Sequence, residues 1–157
     1  VPLKKEKIFK PEISKTLRIG NLSITPFPGY HIHEAGGVPS LGYMIEFSQK
    51  RWLFPGDVRN YDFSKLPDFG NVDGVVAHLW LGKGEALETR PSKLEAFCDF
   101  FSQFKTRKLV ITHLREYGRS LDELWDLHHF HLVKSYLHDR TPELKISGGL
   151  MGERFDL

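Results

Sequence analysis

Apolar residues fall in short runs along this chain, most of them broken by glycine or proline, and only two stretches repeat at helical spacing. Leu17-Arg18-Ile19 and Leu22-Ser23-Ile24-Thr25 flank Gly20-Asn21, which predicts a tight hairpin ended by Pro26 and Pro28. A second hairpin is predicted from Leu41 to Phe47 and from Arg51 to Phe54, with Ser48-Gln49-Lys50 as its loop. Val72 to Trp80 and Lys108 to Thr112 read as buried strands, the first closed by Gly82 and Gly84. Leu94, Phe97, Cys98 and Phe101 predict a helix from about 91 to 104, with Pro91 in its first turn. Leu121, Leu124, Trp125, His128 and Leu132 line one face of a second helix, predicted over 121–138 and stopped by Thr141-Pro142. Two short strands split at Gly148-Gly149 are expected in the tail from Leu144.

Strands and helices in this alternation predict a single α/β unit without repeats or linkers, preceded by a charged arm or loose edge segment over 1–15. At 157 residues, with 40% hydrophobic content, 12 Phe and 3 Trp, the chain can bury a real core. A net charge of +2 gives no basic surface of the kind that nucleic acid demands, so a small-molecule substrate is favoured. No apolar run approaches a membrane span. Cys98 is the only cysteine, which rules out an internal disulfide, suggests a reducing, cytoplasmic setting, and, between aromatic neighbours, reads as a small buried hydrophobe.

Chemistry gathers where strands stop. Arg51-Trp52-Leu53-Phe54 ends in Pro55-Gly56, where the backbone turns sharply and presents Asp57. Val110-Ile111-Thr112 delivers His113, and the Pro26–Gly29 segment leads to His31. Imidazole and carboxylate are ligands for zinc, manganese or iron, so neighbouring strands would bring three donors to one sheet edge. Each residue also has a plainer reading: a loop histidine, a turn-capping aspartate, a strand-end histidine. His78 lies within an apolar strand and reads first as a hydrogen-bonded core histidine. The His128-His129-Phe130-His131 run cannot turn all its imidazoles to one ion, because adjacent helical residues point about 100° apart, and it reads as helix surface or partly packed. Gly82-Lys83-Gly84 does not fit a phosphate-binding P-loop.

Taken in order, these stretches resemble the later half of the metallo-β-lactamase fold superfamily. Thr25-Pro26-Phe27-Pro28 before His31 is similar to the segment carrying a metal histidine. Gly42-Tyr43-Met44-Ile45-Glu46 with Leu53-Phe54-Pro55-Gly56-Asp57 resembles the hairpin ending in the metal-bridging aspartate. Val110-Ile111-Thr112-His113-Leu114 resembles the strand ending in the last metal histidine, and Ser147-Gly148-Gly149-Leu150-Met151 a closing turn. The resemblance covers 17–157, and it lacks the family's HxHxDH cluster; His31-Ile32-His33-Glu34 only begins like it.

The resemblance implies a half or truncated form of the αββα sandwich, with a mixed, mostly antiparallel sheet and two main helices. It implies His31, Asp57 and His113 as metal ligands, zinc first among the ions, with Asp57 bridging or positioning metals for hydrolysis of an ester, lactone, amide or phosphodiester. His33, His78 and Trp80 stand as candidate substrate contacts, His78 near the cleft edge of the resembled fold and Trp80 next to glycines. Two accounts of the missing cluster stay open: a C-terminal half whose partner half was removed, to which the Val1 start also points, or a metal-free descendant serving as a binding or scaffold module. The first predicts weak metal binding, little hydrolysis by this chain alone, and self-association or dependence on the absent half.

Overall fold

The computed structural model describes residues 11–29, 40–79, 81–88, 90–114 and 118–148. Seven strands, β1 (Leu17–Ile19), β2 (Leu22–Pro28), β3 (Leu41–Phe47), β4 (Lys50–Phe54), β5 (Gly74–His78), β6 (Lys108–Thr112) and β7 (Lys145–Gly148), form one sheet in sequence order. Three helices, α1 (Lys83–Leu87), α2 (Lys93–Ser102) and α3 (Leu127–His138), fill the later connections. The first four strands pair antiparallel and the last four pair parallel, so the mixed sheet divides evenly between the two modes. Connection length bears on this: tight turns join β1 to β2 and β3 to β4, whereas strands running the same way need a crossover.

Local chemistry sets the element ends. Ser48 and Gln49 both take positive φ, 48° and 65°, and make a two-residue turn of the primed type that matches strand twist. Lys50 therefore pairs with Phe47 inside the ladder instead of sitting in the expected three-residue loop. Ser92 caps α2 by accepting from the Glu95 N–H, so Pro91 precedes the cap rather than entering the first turn. The second predicted helix starts later than its periodicity suggests. A short 3-10 turn spans Leu121–Glu123, Leu124 is extended, and α3 begins only after Asp126 accepts the His129 N–H at 2.9 Å. In the tail only β7 falls within the described residues.

All three helices pack on one face. Leu53, Val75, Ala77, Leu109 and Ile111 from the strands meet Phe97, Phe100 and Phe101 of α2, with Val133 and Leu137 of α3, in one buried core. Burying each such large side chain stabilises the fold by roughly 2 kcal/mol. Cys98 lies in this core, where burial pushes its thiol up to about 12. The other face has no helix against it among the described residues. Trp52, Val76 and Val110 form a small cluster there with Phe54. The Trp52 ring lies so close to Gly74 that a β-carbon would meet it at 2.3 Å, which is why residue 74 has no side chain. No helix of the described residues is long and apolar enough to cross a membrane.

Candidate metal centre

β4, β5 and β6 are parallel neighbours, so their C-terminal ends share one edge of the sheet, the edge at which α/β proteins gather their ligands. At the end of β4, Gly56 takes φ +74° and turns Asp57 toward the next strand exit. β5 ends in His78, whose Nδ1 lies 2.9 Å from Asp57 Oδ1. Past the end of β6, His113 takes φ +66°, a left-handed conformation that costs a non-glycine residue about 1 kcal/mol. That turn stacks its imidazole beside His78, with ring centroids 4.4 Å apart and planes at 40°. Backbone strain of this kind persists where the surroundings hold it and gathers at functional sites.

Asp57, His78 and His113 thus place one ligand atom each within 4.8 Å of one another, and they are the one such trio of candidate metal ligands among the described residues. Four-coordinate zinc with bonds of 2.0–2.2 Å sets its donors about 3.4 Å apart. Two imidazoles and one carboxylate are also a donor set that zinc, manganese and iron accept. Residues and spacing fit a divalent ion after a small closure.

The structure brings Asp57 and His113 together and adds His78, expected only at the cleft edge. His31, His33 and Trp80 lie outside the described residues. A signal for His78 does exist in the sequence, because Ala77-His78-Leu79 ends its strand in the same way as Thr112-His113-Leu114. The His128–His131 run forms no donor cluster: His128 and His131 are exposed, and the His129 imidazole sits 2.6 Å from Asp126. The N–H and then the ring of His129 hold the Asp126 carboxyl down at about 2.

No family profile and no curated protein matches the sequence. Solved structures do match in fold. Igni18, a metallo hydrolase from the archaeon Ignicoccus hospitalis, superposes with a TM-score of 0.57 at 16% identity over 92% of this chain and 58% of its own. YhfI of Bacillus subtilis, a metallo-beta-lactamase fold protein, gives 0.57 at 15% identity over 92% of this chain and 53% of its own. The fold is that of the metallo-β-lactamases. Yeast PDE1 shares it at a TM-score of 0.52 and 15% identity, over 90% of this chain and 47% of its own. The chain therefore spans about half the length of these metallo-β-lactamase fold proteins. Its trio sits on the part of the fold it possesses, without an HxHxDH cluster in its sequence.

Proposed function

We propose that this chain is the C-terminal part of a metal-dependent hydrolase, in which Asp57 and His113 hold a divalent ion, zinc first, with manganese or iron as alternatives. The convergence of Asp57, His78 and His113 at one sheet edge carries the reading. His31 is proposed as a further ligand. A divalent ion held there would bring the pKa of water toward neutrality for attack on an ester, lactone, amide or phosphodiester of a small molecule. The chain's own residues supply orientation. Asp57 offers its carboxylate from a fixed turn, His78 aligns that carboxylate through Nδ1, and His113 offers an imidazole held by a constrained backbone. The remaining ligands would come from a covering layer, and the single buried thiol accords with a cytoplasmic setting.

Zinc titration by calorimetry tests this on the wild-type chain and on Asp57→Ala, His113→Ala and His78→Ala. The expected result is weak one-to-one uptake, lost in the first two variants and weakened about tenfold in the third, as when a ligand's hydrogen-bond partner is removed. Nitrophenyl esters and phosphodiesters should not be turned over by the chain alone. Equal uptake by wild type and Asp57→Ala would sink the metal reading in favour of a metal-free binding or scaffold module. Tight binding with turnover would show instead that the site is already complete.

A further inference from the structure

One buried residue ties together the two strand exits that carry the histidines. The ladder between β5 and β6 runs one residue past the strands, where the Leu79 N–H donates to the Thr112 carbonyl at 3.0 Å. Beyond that point Trp125 makes the connection. Its indole Nε1–H donates to the Leu81 carbonyl at 2.6 Å, and its main-chain N–H donates to the Leu114 carbonyl at 3.2 Å. Leu81 stands three residues after His78, and Leu114 directly follows His113. Leu81, Leu114 and Trp125 are all buried.

We infer that Trp125 is a positioning residue for the candidate centre, acting through Leu81 and Leu114 to set the spacing of His78 and His113; only its metal readout rests on the reading proposed above. Two observations carry it. His113 occupies a left-handed backbone conformation, which relaxes unless its neighbours are fixed, and the residue after it is fixed by Trp125. The two bonds also come from a single rigid side chain and its own backbone, so the two exits move as one body. Phenylalanine would fill much of the same space but would leave the buried Leu81 carbonyl without this donor. A second strap lies nearer the surface, where Glu123 accepts the Gly84 N–H at 3.1 Å and joins the same two connections.

Trp125→Phe in the 157-residue chain separates positioning from packing. Nuclear magnetic resonance would follow the proton cross-peaks between the His78 and His113 rings, with the Val75–Leu109 and Ala77–Ile111 strand contacts as the folding control. The expected result is intact strand contacts, loss of the ring-to-ring cross-peaks, and a zinc affinity lowered about tenfold. A lower melting temperature with unchanged ring cross-peaks would overturn the inference and leave Trp125 as packing alone. If the wild-type chain takes up no zinc, the metal reading fails while the ring cross-peaks still decide the role of Trp125. Should Trp125→Phe not fold, heating the wild type gives the answer. Exchange of the Trp125 indole hydrogen and loss of the ring cross-peaks should then occur together, and cross-peaks that outlast the indole bond would overturn the inference.

Discussion

His113 gives up backbone comfort to present its imidazole, and that strain is measurable. Glycine relieves a φ of +66° and alanine does not, while both remove the ligand. The metal-free His113→Gly chain should therefore be more stable than His113→Ala by about 1 kcal/mol, read from urea midpoints. Equal midpoints would show that the backbone at 113 stores nothing. Of the three strand-end residues that the sequence singles out, Asp57 and His113 announce themselves because a Pro-Gly turn or a β-branched run precedes them, while His31 lies outside the described residues. His78 is harder to read, because an imidazole inside an apolar run looks like core. Its place beside Asp57 depends on β4 and β5 being adjacent and parallel, a pairing between residues more than 20 positions apart that no local pattern encodes.

Periodicity alone misplaces the start of α3. Leu121, Leu124, Trp125 and His128 recur at intervals of three and four, which a 3-10 turn followed by a helix satisfies as well as one continuous helix. The interruption frees Trp125 to reach Leu81 and Leu114 and makes Asp126 the true cap. Because the folded Asp126 carboxyl is held at about 2, below its ordinary 3.8, its contribution is present above pH 4 and is lost as pH falls through 2. The difference in melting temperature between wild type and Asp126→Ala should be greatest near neutrality and shrink across that window. A difference that stays constant down to pH 2 would contradict the assigned cap.

At the scale of the whole molecule, the helix-free face of the sheet dominates. Register places Tyr43 opposite Phe54, Ile45 opposite Trp52 and Ile24 opposite Ile45, extending the Trp52–Val76–Val110 cluster toward the β1 edge. Phe47 is half exposed and Ile19 more than half, and a shallow cavity of about 440 Å³ opens between Ile45, Phe47, Trp52 and Phe54. The two-residue period of β5 sets His78 on this same face, so a covering layer would also approach the centre. The chain covers 47–58% of the three matched structures named above, and we propose that a layer from the rest of such a fold is the occupant of this face. Without it the chain should self-associate, and Ile45→Lys with Phe54→Lys should reduce that association in sedimentation velocity. A monomer at high concentration would contradict the assignment of the face. Whether Asp57 and His113 hold a metal ion is decided by anomalous diffraction at the zinc edge from crystals grown with zinc. The expected result is a peak about 2 Å from an Asp57 carboxylate oxygen and a His113 ring nitrogen, with His78 alongside. Zinc bound only elsewhere, for instance on the exposed His128 and His131, with the Asp57–His78 hydrogen bond unchanged, would contradict it.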